Sequence, residues 1–390
     1  MECELIIVKC FIRTWEQEKL KNVVITNPYE ELPEKFNYVN LESVLGTSLI
    51  SYECTNIENA PSRAQRLAKK GDIFFQNVRP YQKNNLLFNL DCSNYVFSTG
   101  YTQLRPKLNS GFLFSIIQKN KFVNKVLNRC TGSSYPAISS KDLVDIKVNI
   151  SRNIEEQNKI ADFIGTIDKL LTLHKRKIEL ELKYVEALKE SFIPYSEQIQ
   201  KSFNNIEYRV VKLEDILKER KETNVPNDEY PLVSFTADEG VTKKTERYNR
   251  EFLVRKSEKK YKKTLYNDLV YNPANLKFGA INRNTFGNAV FSPIYITFTT
   301  NQDSEYLEYV FTQWNFINKA LKYQEGTVYE RSSVKPKDFL KIKLAIPNDI
   351  NDQKFIASLI DQKLIATNKS KAFLKKLEKL KDYYLKDLFI

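Results

Sequence analysis

The feature that most restricts what this chain can fold into is that it states one pattern twice. Trp15-x3-Lys19-Leu20-x-Asn22-Val23 returns as Tyr208-x3-Lys212-Leu213-x-Asp215-Ile216. Gly71-Asp72-Ile73-Phe74-Phe75 returns as Asn267-Asp268-Leu269-Val270-Tyr271, and Gly132-x2-Tyr135 as Gly326-x2-Tyr329. Asp142-Leu143-x2-Ile146-Lys147 returns as Asp338-Phe339-x2-Ile342-Lys343, and Gln157-x2-Ile160-Ala161-x2-Ile164 as Gln353-x2-Ile356-Ala357-x2-Ile360. The offsets are 193, 196, 194, 196 and 196. Five matches in one order at near-constant spacing describe two copies of one structural unit. The 390 residues are therefore read as two related domains with connectors.

Each copy opens on a globular part of roughly 140 residues, an ordinary domain length. The apolar runs 72–78, 112–117, 269–272 and 290–298 are β-branched or aromatic and bounded by Asn, Pro or Gly, so they read as strands. Short helices are expected near 122–129 and 304–321. A long helix closes each copy. In the first, over 154–192, Ile160, Ile164, Ile167, Leu171, His174, Ile178, Leu182, Val185 and Leu188 step by three or four, and no proline intervenes before Pro194. In the second, over 352–388, Ile356, Ile360, Leu364, Phe373, Leu377, Leu380, Tyr384 and Leu388 do the same around a polar middle of Thr367, Asn368 and Ser370. Such a period gives one apolar seam per helix, and a lone seam would face water. The two seams are expected to pair, antiparallel if the copies are related by a two-fold. His174, on the seam, is read as a residue that fixes register, near Asn368 or Ser370. Gln157, Ile160 and Ile164, with Gln353, Ile356 and Ile360, are assigned to helix pairing or to a partner subunit. The expected fold is α+β: two mixed α/β domains separated by two long helices in an antiparallel coiled coil. The segments are 1–152, a first domain; 153–193, a first helix; 194–206, a linker; 207–350, a second domain; and 351–390, a second helix.

Catalytic patterns are missing. Only ten glycines occur and no two have GxG spacing, which excludes a dinucleotide fingerprint or a phosphate loop. The single histidine leaves no room for a His-based triad or an HExxH site. Asn272-Pro273-Ala274-Asn275 lacks the second proline and the aromatic ring of the adenine methyltransferase motif that holds a flipped base. Pro336-Lys337-Asp338 has the wrong order for a nuclease. The five cysteines are odd in number and without CxxC spacing, which fits reduced thiols and no metal site. The acidic start and the absence of an apolar run of about 18 residues point to a cytoplasmic protein without a membrane span.

Charge points to a polyanion. Net charge is +13, and cationic groups gain affinity for nucleic acid by counterion release. Residues 241–263 hold ten Lys/Arg and three Glu, with Tyr248, Phe252 and Tyr261 interleaved. Lys243, Lys244, Lys259, Lys260, Lys262 and Lys263 are the expected phosphate contacts. The loop after the repeated strand carries Asn77, Arg79, Tyr81, Lys83 and Asn84 in the first copy. In the second copy it carries Asn272, Asn275 and Lys277, extended to Arg283. Arg and Asn are side chains that make bidentate contacts with guanine and adenine edges. The turns with Tyr135, Tyr329 and Arg331 are further candidates. The competing readings are a stand-alone nuclease or methyltransferase and a coiled-coil scaffold without a DNA role.

Four features resemble one family. They are Asn59-Ala60-Pro61-Ser62-Arg63-Ala64; Gly71-Asp72-Ile73 with Val78-Arg79-Pro80-Tyr81; the Gln157 and Gln353 helix openings; and the order domain, helix, domain, helix. Together they are similar to specificity subunits of type I restriction–modification enzymes, over nearly the whole chain. The resemblance implies two target recognition domains, each reading half of a split duplex DNA site, with Arg63 among the contacts. It implies no catalysis by this chain. Two methyltransferase subunits would dock on the helices and hold S-adenosylmethionine; restriction subunits would hold ATP and magnesium. The second copy lacks the Pro-Ser-Arg-Ala run and replaces Arg-Pro-Tyr by Pro-Ala-Asn, as expected if the two half-sites differ in sequence. Binding to DNA should weaken steeply with salt. Six phosphate contacts give a slope near −5 in log K against log salt, and a fluorescence titration between 50 and 200 mM salt measures it; a flat profile would remove the electrostatic argument.

Overall fold

The computed structural model describes residues 15–92, 94–194, 206–243, 260–325 and 332–388. The chain forms two compact units: Met1–Ile178 with Lys369–Ile390, and Glu179–Asn368. This corrects the expected segmentation. The helices are not separate segments, because each is divided between the units and its apolar residues enter their cores.

In unit 1, Trp15–Lys19 pairs antiparallel with Lys147–Ser151. One four-stranded sheet has the order Val24–Thr26, Tyr101–Pro106, Ile73–Gln76, Leu86–Leu87. A second has the order Glu53–Asn56, Lys35–Val39, Tyr95–Ser98, Ala64–Leu67, with one parallel pair. Unit 2 repeats the first two assemblies. Tyr208–Lys212 pairs with Lys343–Pro347. Leu217–Glu219, Ile296–Thr300, Leu269–Tyr271 and Ile281–Arg283 follow one another in the same order as their counterparts. The duplication read in the sequence is thus a duplication of strand pairing. The remaining sheets of unit 2 are smaller: a three-stranded sheet and a two-stranded hairpin, Val233–Thr236 with Gly240–Lys243.

The repeated Gly71-Asp72 and Asn267-Asp268 steps have one physical explanation. Gly71 and Asn267 have φ of +92° and +70°, a region open to glycine and tolerated by asparagine. The aspartate that follows is buried in both units. Asp72 Oδ2 accepts the Lys69 amide, and Asp268 Oδ2 accepts the Leu265 amide. Each carboxylate then takes an arginine fork: Arg105 on Asp72 at 2.8 Å through both nitrogens, and Arg220 on Asp268 at 2.8 and 3.0 Å. Arg105 lies on the strand Tyr101–Pro106 and Arg220 directly follows the strand Leu217–Glu219, so sequence alignment could not have paired them.

Two strand expectations are corrected. The run 112–117 is helix, Ser110–Ile117, because Asn109 caps it through the Phe112 amide and the helix is buried on most sides; periodicity cannot separate such a segment from a buried strand. The run 290–298 is two strands, Ala289–Phe291 and Ile296–Thr300, because Pro293 cannot continue a ladder. The short helices form at Asn120–Leu127, Ser304–Phe311 and Trp314–Leu321.

The long helices are Ile154–Phe192 and Ile350–Asp387. In unit 1, Phe163 meets Tyr384 at 4.7 Å between ring centroids, Asp168 Oδ1 accepts from Lys381 Nζ at 2.5 Å, and His174 meets Phe373 at 4.7 Å. Partner numbers fall as the first helix advances, so the segments run antiparallel, as expected. Ile160, Ile164, Ile167 and Leu171 share a core with Leu377, Leu385 and Leu388. In unit 2, Val185, Leu188 and Phe192 share one with Ile356 and Ile360. Three details differ from the expectation. His174 lies beside Phe373; Asn368 is exposed, while Thr367 and Ser370 are buried; and Leu182 and Leu380 face outward.

Removing one member of a largely buried ion pair costs about 3–5 kcal/mol. Asp72→Asn should therefore destabilise unit 1 by about 3 kcal/mol, and Asp268→Asn should do the same to unit 2. Amide exchange should show protection lost in the substituted unit first. Equal loss in both units from either variant would contradict the division.

Candidate nucleic-acid interface

In each unit one loop leaves the repeated strand, turns through a short 3-10 helix and is hydrogen-bonded to a distant backbone group, Pro136 O in unit 1 and the Val334 amide in unit 2. In unit 1 the loop spans 77–85. Its base is closed by Asn85 Oδ1, which accepts the Gln76 amide, and by Asn77 Oδ1, which accepts from Thr102 Oγ1 at 2.7 Å. Its tip is the turn Pro80–Gln82, flanked by Arg79 and Lys83, both left-handed with φ of 52° and 55°. Non-glycine residues held this way are strained and cluster at functional sites. The Arg79 amide donates to Pro136 O, and the Arg79 guanidinium lies 4.2 Å from the centroid of Tyr135. Arg79 Nε is buried without a hydrogen-bond partner. Gly132 allows the turn to close: it has φ of +87°, and a Cβ there would lie 3.1 Å from Tyr135 O. Arg79 and Tyr135, 56 residues apart in sequence, thus form one surface with exposed Tyr81.

In unit 2 the loop spans 272–280. Asn272 Oδ1 accepts the amides of Ala274 and Asn275. The turn is Leu276–Phe278, closed by Gly279 at φ +80°. Pro273 O accepts the Val334 amide, and Tyr271 Oη donates to Val334 O. Asn275 and Lys277 are exposed, and Lys277 Nζ stands 5.1 Å from the centroid of the Phe278 ring.

Several proposed contacts are used internally and are corrected. Asn77 and Asn272 are buried and hold their own loops. Asn84 Oδ1 accepts the Gly46 amide. Lys83 Nζ donates to Asn120 Oδ1, and burial pulls its pKa down. Lys262 pairs with Glu219 at 2.9 Å, and Lys263 pairs with Glu222 at 3.1 Å and lies over Tyr230. Arg283 is held by Glu308 at 2.8 Å, Glu305 at 3.0 Å and Asn267. A strand position puts the cation beside its acidic neighbour, which local charge counting cannot see. Arg63, Lys243 and Lys260 are exposed. Lys244, Lys259, Tyr329 and Arg331 lie outside the described residues.

Gln157 and Gln353 are also reassigned, since both side-chain amides are hydrogen-bonded within their own units. Gln157 Oε1 accepts the Asn109 amide and its Nε2 donates to Ser151 O; Gln353 Oε1 accepts the Asp303 amide and its Nε2 donates to Pro347 O. Ile160, Ile164, Ile356 and Ile360 are buried in the cores, where they join domain to helix. Two features escaped the sequence reading. One is Phe278, an exposed ring on the turn Leu276–Phe278. The other is the group Lys119, Lys121 and Lys125, in which burial and then the neighbouring lysines push Lys119 down to about 8. Among the described residues no group of His, Cys, Asp and Glu could hold a metal ion, and no helix is long and apolar enough to cross a membrane.

Fold and loops define an internally duplicated protein in which each unit presents one short loop from a repeated strand. Residues 15–184 match the family described as "Type I restriction modification DNA specificity domain". The type I restriction enzyme HindI specificity subunit of Haemophilus influenzae is 27% identical over 160 residues, 40% of this chain. That match spans 35% of the curated relative's length. Two solved structures share the fold. The type I restriction-modification system S subunit from M. genitalium has a TM-score of 0.62 at 13% identity, covering 97% of each chain. A chain from a study of complex assembly and conformational transition of the type I R-M system has a TM-score of 0.56 at 17% identity, covering 96% of this chain and 97% of that one.

The internal pairing of Arg283 separates stability from recognition. Arg283→Ala should cost about 3 kcal/mol in denaturant unfolding and leave base preference unchanged. Lys277→Ala should leave stability within about 0.5 kcal/mol and weaken DNA binding. An Arg283→Ala variant of native stability with altered preference would reverse the assignment.

Proposed function

We propose that this chain is the DNA-reading subunit of a type I restriction–modification enzyme and carries no catalysis itself. Each unit reads one half of a bipartite duplex target through its loop, and the helix pair sets the length of the unread spacer. The observation that carries this reading is the repeated strand–loop–turn assembly, with Arg79 on Tyr135 in one copy and Asn275 and Lys277 in the other. One frame with two different loops suits two different half-sites. Arg79, released from carboxylates and stacked on an aromatic ring, is placed to donate to a guanine edge. Exposed Lys243, Lys260 and Lys277 meet phosphates, which position the protein without reading sequence.

The partners in this proposal are two methyltransferase subunits, docked along the helices, and restriction subunits joined through them. S-adenosylmethionine belongs to the methyltransferase partner, and ATP and magnesium to the restriction partner; this chain binds none of them. The assembly acts in the cytoplasm. Neither rival reading, a stand-alone enzyme or a scaffold without DNA, is favoured by any observation on the molecule.

Inserting four residues after Leu173 lengthens the first helix by ~6 Å, which is one to two base pairs at about 3.4 Å each. Sequencing methylated sites in a strain carrying the insertion should show the same half-sites with a spacer longer by one or two. An unchanged spacer with activity retained would show that the helices are not the ruler. Highly purified chain that methylates or cuts DNA, and loses this by a point substitution of its own, would overturn the non-catalytic role.

A further inference from the structure

The two 3-10 turns have the same construction. Pro80 and Leu276 begin them and are buried, anchoring each turn to its unit. Each turn then exposes one aromatic ring: Tyr81 is 50% accessible and Phe278 is 65% accessible. At the repeat offset of 196, Tyr81 corresponds to Lys277 and Phe278 to Gln82. The ring has changed position by one residue, yet each turn has one. Single exposed apolar side chains are ordinary on a surface. These two lie on equivalent turns, each on a backbone held by left-handed residues and side-chain bonds to the main chain. Arg79, Lys83 and Gly279 hold the turns through positive φ, and Asn272 ties the second loop from below. A cation lies over the second ring, Lys277 Nζ at 5.1 Å from the Phe278 centroid, while in the first turn the Arg79 guanidinium lies over Tyr135.

We propose that Phe278 and Tyr81 are wedges: each ring enters its half-site at a base step, partly unstacks it and stacks on the base it exposes. The chemistry fits duplex DNA better than a protein groove. A flat ring has a partner in every base, and beside Phe278 the Lys277 ammonium meets the phosphate flanking the opened step. A rigid turn presents the ring already ordered, so little conformational freedom is lost on insertion. The inference rests on the DNA-reading role proposed above and adds the residues by which each unit deforms its target.

The test uses the full-length chain and duplexes carrying the target found by sequencing methylated sites, with 2-aminopurine placed at successive positions of each half-site. Wild-type chain should raise the fluorescence at one or two positions of the half-site read by unit 2. Phe278→Ala should abolish that rise and weaken binding about 5- to 150-fold, the range for loss of one stacked base; Phe278→Trp should restore both. Tyr81→Ala should act only on the other half-site. Thermal melts of the variants check that an exposed position was changed without unfolding. Wild-type affinity and an unaltered fluorescence pattern in Phe278→Ala would overturn the wedge, while leaving the DNA-reading role intact. Unchanged DNA binding with lost capture of the methyltransferase subunit would also overturn it, by making the ring a protein contact. A wild-type chain that binds no DNA, alone or with its subunits, would instead remove the role on which the wedge rests.

Discussion

One buried amide in each unit holds the domain to its long helix, and the presentation of the loops depends on it. Gln157 and Gln353 stand in the first turns of the two helices, buried, with both ends of the amide satisfied. In each case the oxygen accepts the amide of the residue that caps a short helix, Asn109 or Asp303. The nitrogen donates to the last carbonyl of the preceding strand, Ser151 or Pro347. One side chain thereby ties strand end, short helix and long helix together. An apolar replacement would leave two backbone groups unpaired, each costing about 1–3 kcal/mol. This explains why a glutamine at this point is among the residues that the two copies share.

A second constraint acts at the other end of the repeated strand. Asp72 and Asp268 sit after a left-handed residue, take a backbone amide and receive a guanidinium fork. A carboxylate buried without that fork would be costly, so the pair fixes where the strand begins and where its loop emerges. The two copies meet the same need with arginines from different places in the chain, Arg105 on a strand and Arg220 just after another. What is duplicated is a physical requirement, the neutralised carboxylate, more than a residue-by-residue match. The loops above it are free to differ, and they do: an arginine on a tyrosine in one, a lysine over a phenylalanine in the other.

The surplus of positive charge is divided in the same way between frame and surface. Arg105, Arg220, Arg283, Lys262 and Lys263 are committed to carboxylates within their own units. Arg63, Lys243, Lys260 and Lys277 are exposed, and in the proposed function it is these that meet the polyanion. Net charge counts both groups equally; only their placement separates a cation that holds the fold from one that can meet a phosphate.

The sequence by itself determined the duplication, the two long helices and their antiparallel pairing, because these rest on period and order. Apolar side chains at three- and four-residue steps need a partner, and five matched motifs need a common frame. It also located the turns after the repeated strands, since a strand bounded by Asn, Arg and Pro must turn there. Tertiary structure decided which residues on those loops are free. Asn77, Asn84 and Asn272 look like base readers in the sequence, but their amides close the loops, and Arg283 looks like a DNA contact until Glu305 and Glu308 are folded against it. Tertiary structure likewise joined Arg79 to Tyr135, set Phe373 beside His174, and made a helix of the run 112–117. Pattern along a chain records which faces must be buried; which polar group reaches which partner depends on distances between segments far apart in sequence, and only the folded chain sets those.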